Sequence, residues 1–256
     1  MIFGAILAGG TGTRMQSAAL PKQFLPLAGC PILIRTLRVF LNCEALEHIF
    51  IAVPADHLDY ARRLVENWCP DERVTLTPGG ATRTDTLFAL IDRISERFGS
   101  RPDDRIVTHD AVRPFVTVEM LLDNIAAAQE FGAAGTAVPA VDTILESADG
   151  TTIQAIPPRN RMYLMQTPQT FSIRLLLDTY RTLDNAEKAR LTDGCGVLVA
   201  RGIPVRLSPG SPANIKITTP ADYALAQAMA ARIDGSVPLR KEESECKPSD
   251  TAPSIR

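Results

Sequence analysis

The sequence predicts an α/β protein built on a three-layer, doubly wound and mostly parallel sheet. In the first half of the chain, short apolar runs that could form buried strands alternate with segments whose apolar residues recur at helical spacing. Strands that alternate with helices pair in parallel through right-handed crossovers, which places helices on both faces of the sheet. Ligands in such sheets bind beyond the carboxyl ends of the strands. The loops that follow the strands are therefore where we expect a site.

The individual elements follow from local patterns. Apolar runs predict strands at residues 2–7, 48–53, 73–77, 105–109, 135–139 and 205–207. Helical spacing predicts helices at residues 31–42, 56–67, 82–94, 117–131, 172–182, 195–200 and 220–231. Pro31 and Pro220 suit the first position of their helices, and Thr219 suits the N-cap of the last one.

The alternation of strands and helices breaks between residues 141 and 165. Two short runs, at residues 142–146 and 152–156, flank the turn Ala148-Asp149-Gly150-Thr151. An Asp-Gly pair between such runs is a strong signal for a β-hairpin. A hairpin protruding from an α/β core could serve as a flap or as an arm for dimerisation.

Length and composition favour one folded domain with a polar tail. The chain has 256 residues and a formal net charge of −2, so it can bury a core but lacks a basic field for nucleic acid. No apolar run is long enough to cross a bilayer. We expect a single domain over residues 1–232 and a disordered tail over residues 233–256, where almost nothing can be buried.

Cysteine and histidine usage indicates neither a disulfide framework nor a metal centre. The five cysteines are scattered without a Cys-x-x-Cys pair, and the three histidines lack metal-ligand spacing. The N-terminus has no basic segment before its apolar run, so no signal peptide is expected. We expect a cytoplasmic protein with free thiols and with neither membrane nor nucleic acid as a partner.

A glycine-rich turn follows the first predicted strand. Gly9, Gly10 and Gly12 lack the Cβ atoms that would keep backbone N–H groups away from a ligand, and such turns form anion sites. Arg14 and Lys22 add two cations suited to phosphate oxygens. The spacing matches neither the P-loop nor the dinucleotide-binding fingerprint. The turn predicts a phosphate-binding loop, although a tight strand-to-helix connection would look similar.

The whole pattern resembles the signature of sugar nucleotidyltransferases, Rossmann-like enzymes that join a nucleoside triphosphate to a sugar or polyol phosphate. The segment Pro21-Lys22-Gln23-Phe24-Leu25 narrows the resemblance to cytidylyltransferases that act on methylerythritol phosphate or ribitol phosphate. Further matches follow in the family's order as far as Asp222. The resemblance implies that the first turn binds CTP, through Leu7, Ala8, Gly9, Gly10, Gly12 and Thr13.

A second glycine turn, Gly79-Gly80-Ala-Thr-Arg-Thr-Asp-Thr86, leads into a predicted helix. Taken alone it could be a connection with a threonine cap. The resemblance implies instead a pocket for cytosine and ribose, in which the Thr86 hydroxyl reads the edge of the pyrimidine. The further CTP-binding residues are then Gly80, Ala81, Arg83, Asp85 and Thr86. Arg83 could alternatively hold the loop through Asp85 or Asp110.

The segment His109-Asp110-Ala-Val-Arg113-Pro ends the fourth predicted strand and matches another motif of the family. Asp110 could be an ordinary turn residue. By resemblance it faces the hydroxyls of the acceptor, while Arg113 supports the pocket. Asp110 could also lie near Mg²⁺, although one carboxylate does not define a metal site.

The remaining matches concern the phosphate of the acceptor. By resemblance, Arg159 crosses to a neighbouring subunit and holds this phosphate, Thr167 and Thr192 line the same pocket, and Lys216 orients the phosphate. Without that resemblance, Arg159 would be a solvated residue of the arm and Lys216 an exposed lysine at a strand end. The arm motif implies a homodimer.

The implied reaction is attack by the acceptor phosphate on the α-phosphorus of CTP, with release of pyrophosphate. A phosphate monoester has its second pKa near 6, so the nucleophile is already largely deprotonated and no general base is required. Positioning and fixed positive charge are what remain for the protein to supply. We assign the catalytic role to Arg14, Lys22, Arg159 and Lys216, with Mg²⁺ bound mainly through the CTP phosphates.

The acceptor predicted from the sequence is ribitol 5-phosphate, with 2-C-methyl-D-erythritol 4-phosphate as the alternative. The chain has Leu7-Ala-Gly-Gly10 where the methylerythritol family usually shows Ala-Ala-Gly, and Pro158-Arg159-Asn160-Arg-Met-Tyr163 where Arg-x-x-Leu-Trp is common. A non-catalytic nucleotide-binding module is a more distant alternative, and the retention of all the charges argues against it. A nicotinamide-dependent oxidoreductase fits the fold but not the glycine spacing.

Overall fold

A computed structural model describes residues 1–9 and 20–235 of the chain. The strands are β1 (Ile2–Leu7), β2 (Pro26–Leu27), β3 (Cys30–Pro31), β4 (His48–Val53), β5 (Val74–Pro78), β6 (Arg105–Asp110), β7 (Ala133–Pro139), β8 (Tyr163–Ser172) and β9 (Arg206–Pro209). The α-helices are α1 (Ile32–Leu41), α2 (Leu58–Trp68), α3 (Arg83–Phe98), α4 (Val118–Phe131), α5 (Ile173–Thr182), α6 (Asn185–Ala189), α7 (Gly194–Val199) and α8 (Pro220–Gly235). Short 3₁₀ helices lie at Lys22–Phe24, Ala55–His57 and Arg159–Arg161.

Seven of the strands form one mixed sheet in the order β5-β4-β1-β6-β8-β7-β9. Every neighbouring pair is parallel except the two that involve β8, which runs antiparallel to β6 and to β7. The chain builds outward from β1 to β4 and β5, then returns to place β6 on the other side of β1. This change of direction creates a crevice at the carboxyl ends of β1 and β6.

Helices cover both faces of this sheet and confirm the predicted three-layer arrangement. On one face, α1, α2 and α4 pack on strand residues such as Ile6, Ile51 and Val107. On the other face, α3, α5 and α7 pack on the alternate residues of the same strands, including Phe3 and Phe50. The helix α8 closes a smaller cluster beside β2 and β3. Strands buried on both faces are typical of parallel sheets.

The strand β8 was not predicted, because residues 163–172 were expected only to close the hairpin. It lies inside the sheet, and Pro168 within it lacks the N–H that an interior strand usually needs. The pairing of β7 with β8 shifts register between Gly135 and Ala137, close to this proline. The carbonyl of Pro168 accepts a hydrogen bond from the Thr136 hydroxyl (2.7 Å). The irregular register accommodates a residue that a regular ladder would exclude.

The predicted hairpin between residues 141 and 165 is present in reduced form, because its two runs pair at one position instead of forming two regular strands. A single antiparallel bridge joins Glu146 to Ala155. The Asp149 carboxylate holds the turn by accepting hydrogen bonds from the backbone of Thr151 and Thr152 (both 2.8 Å). An isolated two-stranded ribbon without a packed face is marginal in water, which accounts for the loss of regular pairing.

The loop and the start of β8 expose several large apolar side chains. We define the arm as residues 141–165. Its exposed apolar residues are Val141, Leu145, Ile153, Ile156, Tyr163, Leu164 and Met165. A concentration of exposed apolar residues on one segment is typical of an interaction surface.

The helices lie close to the predicted positions, and their caps explain their starts. The Thr82, Thr117 and Ser172 side chains each accept a hydrogen bond from a backbone N–H in the first turn of α3, α4 and α5. The short helix α6 was not predicted. The helix α8 continues to Gly235, three residues into the predicted tail, and residues 236–256 lie outside the described part of the chain.

No helix in residues 1–9 and 20–235 is long and apolar enough to cross a membrane. The four cysteines in the same ranges, Cys30, Cys43, Cys69 and Cys195, are free thiols.

Candidate active site

The candidate active site lies where β1, β5 and β6 end. Leu7 pairs in register with Asp110, the last residue of β6, and Ala8 donates from its backbone N–H to Ala52 on the neighbouring strand β4 (2.8 Å). Leu7 and Ala8 are buried, while Gly9 begins the glycine turn. The predicted residues Gly10, Gly12, Thr13 and Arg14 lie outside the described residues.

Lys22 is held close to the end of β1 by its neighbours. It begins a 3₁₀ helix, and the Gln23 side chain, which is buried, donates from Nε2 to the carbonyl of Ala8 (2.6 Å). The ring of Phe24 packs on His57 and on Tyr60, with centroid distances of 5.7 and 5.1 Å. The segment that carries Lys22 is thus fixed against the strand end from both sides.

The second glycine turn is tightly built around Gly80. A Cβ atom there would lie 2.7 Å from Asp85 Cβ and 2.9 Å from the Thr86 nitrogen, so only glycine fits. Thr82 and Asp85 form a capping box, in which each side chain accepts from the other's backbone N–H. Gly80 and Ala81 remain exposed, and their backbone is accessible to a ligand.

The hydroxyl of Thr86 is used inside this turn rather than left to read a base. It donates to the carbonyl of Thr82 (2.8 Å) and accepts from the Gly80 N–H (3.0 Å), and its residue is buried. The hydroxyl proton is therefore committed to the protein, and only a lone pair of the oxygen is left for a ligand. A Cβ on Gly9 would lie 3.7 Å from this oxygen, so Thr86 lies close to the start of the first glycine turn as well.

Three cations converge on the carboxylate of Asp110. Arg83 Nε lies 3.1 Å from Oδ1, while Lys216 Nζ and Arg113 Nε lie 2.9 and 3.6 Å from Oδ2. Of the two partners left open for Arg83, the structure therefore selects Asp110. Asp85 is instead engaged in the capping box. The cluster brings together residues that are distant in sequence, from α3, from β6 and from the segment before α8.

The cluster carries more positive than negative charge. Burial by itself raises the pKa of Asp110, but the charges of Arg83, Lys216 and Arg113 together hold that pKa well below its usual range. The carboxylate stays ionised, and one negative charge faces three positive ones. Among the described residues of the cluster, Arg83 Nη1 is buried without a hydrogen-bond acceptor, and Arg113 Nε has only its 3.6 Å approach to Asp110 Oδ2. The spare donor on Arg83 and the excess positive charge suit an oxygen-rich, anionic ligand.

The same arrangement does not form a protein-held metal site. Both Asp110 oxygens face cations, and the described residues contain no group of three or more His, Cys, Asp or Glu side chains that could hold an ion. A divalent cation at this position would need most of its ligands from a bound molecule.

Buried hydrogen bonds join Thr167 directly to Asp110 and, on its other side, to His109. The Thr167 hydroxyl accepts from the Asp110 N–H (3.1 Å) and lies 2.9 Å from His109 Nδ1. His109 Nε2 lies 3.1 Å from the carbonyl of Arg113. All four residues are buried. The sequence placed His109 in a motif but gave it no role.

Asn214 is a second residue whose role the sequence did not predict. It is fully buried, its carbonyl accepts from Arg113 Nη1 (2.7 Å), and its side chain donates to the carbonyl of Thr167 (2.8 Å). Because Lys216 follows two residues later, Asn214 fixes the approach of that lysine to Asp110. Its full burial, which the sequence does not display, is what reveals the role.

Two predicted residues are not joined to this cluster in the single chain. Arg159 is exposed in the arm and donates to the carbonyl of Val141 (3.3 Å). Thr192 is exposed and precedes α7, which is capped by Asp193 through the Gly196 N–H (2.9 Å). Asp193 also accepts from Gln169 of β8 (2.8 Å), which ties the start of α7 to the sheet.

Solved structures with the same fold support the assignment to a class of enzyme. A 4-diphosphocytidyl-2C-methyl-D-erythritol synthase from Anaerococcus prevotii is 27% identical, with a TM-score of 0.75 over 89% of this chain and 95% of that one. The Francisella tularensis 2-C-methyl-D-erythritol 4-phosphate cytidylyltransferase is 26% identical, with a TM-score of 0.74 over 89% and 98%. The Thermus thermophilus cytidylyltransferase of the same description is 28% identical, with a TM-score of 0.67 over 90% and 99%. The fold is that of the α/β nucleotidyltransferases.

The family can be stated more narrowly. Residues 2–232 match the family of 2-C-methyl-D-erythritol 4-phosphate cytidylyltransferases, and the chain belongs to it. Members of this family are nucleotidyltransferases that use CTP. The predicted class of enzyme is thereby confirmed.

Proposed function

We propose that this enzyme transfers CMP from CTP to 2-C-methyl-D-erythritol 4-phosphate and releases pyrophosphate. The observation that carries the proposal is the cluster at the end of β6, where Arg83, Arg113 and Lys216 surround Asp110 beside two glycine turns. The family description and the names of the similar structures support this acceptor.

The residues of the site suit a reaction between two anions. The acceptor phosphate needs no general base, because its second pKa near 6 leaves it largely deprotonated at neutral pH. The obstacle is repulsion between acceptor and triphosphate, together with the charge on the pentacoordinate phosphorus. Arg14 and Lys22 would stabilise the triphosphate, and Lys216 would orient the acceptor phosphate.

We assign CTP to the two glycine turns and the acceptor to the Asp110 cluster. Exposed backbone at Gly80 and Ala81 is available to the nucleoside. Asp110 would accept hydrogen bonds from the acceptor's hydroxyls, since it remains ionised. Divalent metal dependence is general in the family, and a magnesium ion bound to the triphosphate would lower its negative charge.

A second candidate acceptor is ribitol 5-phosphate. The observation that favours it is the sequence of the arm and of the first turn, where Pro158-Arg159-Asn160-Arg-Met-Tyr163 and Leu7-Ala-Gly-Gly10 depart from the usual methylerythritol pattern. The two acceptors share a phosphate monoester on a short polyol, so the same cations would serve either.

Pyrophosphate release measured with CTP and each acceptor in turn tests both candidates. We expect turnover with methylerythritol phosphate, and the ratio of kcat/KM for the two acceptors identifies the preferred one. Higher kcat/KM with ribitol phosphate would replace the first candidate by the second. CTP binding without turnover on either acceptor would contradict the proposed function and favour a non-catalytic module.

We also propose that two chains associate through the arm, so that Arg159 serves the site of the partner subunit. Two observations support this arrangement: Arg159 lies on an exposed segment away from the Asp110 cluster, and that segment exposes several apolar side chains. A second chain would cover these side chains. It would also add a cation that a single chain does not place at its own site.

A further inference from the structure

We propose that His109 is a positioning residue for acceptor binding, which fixes the orientation of the Thr167 hydroxyl beside Asp110. The inference rests on the proposed function for its effect on catalysis, and on the hydrogen-bond chain of the buried residues for its geometry.

The direction of each hydrogen bond follows from the chemistry of the partners. The carbonyl of Arg113 can only accept, so the proton on His109 must be on Nε2, 3.1 Å away. A neutral imidazole with its proton on Nε2 offers Nδ1 as an acceptor. The Thr167 hydroxyl, 2.9 Å from Nδ1, therefore donates to it. The same hydroxyl oxygen accepts from the Asp110 N–H at 3.1 Å.

Burial keeps this chain in one arrangement. His109 is fully buried, and burial lowers the pKa of its imidazole to about 4, so the ring is neutral at physiological pH. The ring of Phe40 lies 5.6 Å from it, centroid to centroid, and limits its rotation. The Thr167 proton is consequently committed, and only a lone pair of its oxygen is left for a ligand.

The committed proton of Thr167 limits which part of the acceptor substrate this hydroxyl can bind. A hydroxyl that has already given its proton to histidine cannot donate to a phosphate oxygen, but it can accept from a hydroxyl of the polyol. We assign Thr167 to the polyol part of the acceptor rather than to its phosphate. Asp110, whose carboxylate also only accepts, would bind the same part of the molecule.

Two amide substitutions separate the bonds of His109. In His109→Gln, the amide reaches the Nε2 position. It keeps a hydrogen-bond donor for the Arg113 carbonyl and removes the hydrogen-bond acceptor for the Thr167 hydroxyl. In His109→Asn, the amide reaches the Nδ1 position and keeps only the hydrogen-bond acceptor for the Thr167 hydroxyl. We expect His109→Gln and Thr167→Val each to raise the KM for the acceptor substrate about tenfold, with the KM for CTP little changed. A tenfold change corresponds to the upper range of the free energy that one hydrogen bond contributes.

Coupling between the two residues distinguishes positioning from loss of packing. The double variant His109→Gln/Thr167→Val should be no worse than Thr167→Val alone, because the bond that His109→Gln removes is already absent there. Thr167→Ser should behave like the wild type. Thr179→Val removes a buried hydroxyl elsewhere, on α5, and should leave both KM values unchanged. Additive effects, or an equal rise in the KM for CTP, would overturn the proposal.

A measurement on the resting protein keeps the inference separate from the proposed function. ¹⁵N NMR at neutral pH should show a neutral His109 with its proton on Nε2, assigned by its disappearance in His109→Gln among the three histidines. Thr167→Val should shift the Nδ1 resonance. A proton on Nδ1, or a charged ring, would overturn the inference even if the enzyme is active. The expected spectrum in a protein inactive on both acceptors would contradict only the proposed function.

Discussion

Lys22 lies in a segment that the structure anchors to the end of β1. Gln23 and Phe24 hold this segment, and a fixed backbone suits the role in triphosphate binding that we propose for Lys22. Lys22→Ala should lower kcat about 100-fold, the usual effect of removing one group that stabilises transition-state charge. The melting temperature should change little.

Lys188→Ala is the matched control for Lys22→Ala. Lys188 lies on α6 over the ring of Tyr180, 4.5 Å from its centroid. Its removal should leave turnover unchanged. Equal loss of activity in the two lysine variants, or wild-type turnover in Lys22→Ala, would contradict the role of Lys22.

Sequence patterns predict charged site residues better than buried polar ones. Asp110, Arg83 and Lys216 were predicted as site residues, and the structure brings them together. His109 and Asn214 were not, since a buried side chain that connects two loops leaves no periodicity or spacing in the sequence. The Thr86 hydroxyl was assigned to the base, yet its local bonds to Thr82 and Gly80 are the closer alternative.

Among the elements, the turn before α3 makes the sharpest steric prediction. In Gly80→Ala the new methyl group would meet the backbone of Asp85 and Thr86 at under 3 Å, and backbone cannot move aside cheaply. The variant should lose about 1–3 kcal/mol of stability, as overpacked sites do, and bind CTP more weakly. Thermal unfolding and the KM for CTP measure the two effects.

Gly196→Ala is the control for that substitution. Its Cβ would lie 3.5 Å from Leu191 Cδ2, an ordinary van der Waals contact, and it lies within α7. Alanine should be tolerated there, because it also favours a helix. If both alanine variants melt like the wild type, the tight fit around Gly80 is refuted.

The strand β8 was missed in the sequence for a physical reason. The segment Tyr163–Ser172 contains a proline and buried glutamines and threonines, so neither alternation nor an apolar run marks it as an interior strand. Its pairing depends on β6 and β7, which lie on both sides of it in space. By contrast, β1 and β4 are nearly continuous apolar runs, and their prediction needed no knowledge of distant partners.

The molecule as a whole should lose stability on mild acidification. The pKa of His109 is about 4 in the folded protein and near 6.5 when unfolded, so the unfolded chain takes up a proton first. The stability that His109 contributes is present above pH 6.5 and is lost as pH falls towards 4, about 3 kcal/mol in total. Burial lowers the pKa of His48 in the same direction.

Denaturant unfolding between pH 7 and pH 4 measures this dependence. His109→Gln should flatten the curve in that range, while His48→Gln should retain the part due to His109. Carboxylates with lowered pKa values, such as Glu187 at about 2, contribute at lower pH, below their ordinary values near 4. An unchanged slope in His109→Gln would contradict a neutral, buried imidazole.

Mixing two inactive variants tests whether a site is shared between two chains. If Arg159 serves the partner's site, a dimer of Arg159→Ala with Lys22→Ala contains one site with both residues intact. Random exchange of equal amounts should then recover about a quarter of wild-type activity. Lys22→Ala mixed with itself is the control. No recovery despite mixed dimers would place Arg159 in its own chain's site.

The position of β8 constrains how the protein can be made. The chain lays down β6 and β7 first, but the strand that joins them is synthesised only after the arm. Until Ser172 has left the ribosome, one edge of β6 is unpaired, and no strand connects β7 to the rest of the sheet. Nascent chains that stall within the arm would therefore expose unpaired strand edges, which are prone to pair with other chains.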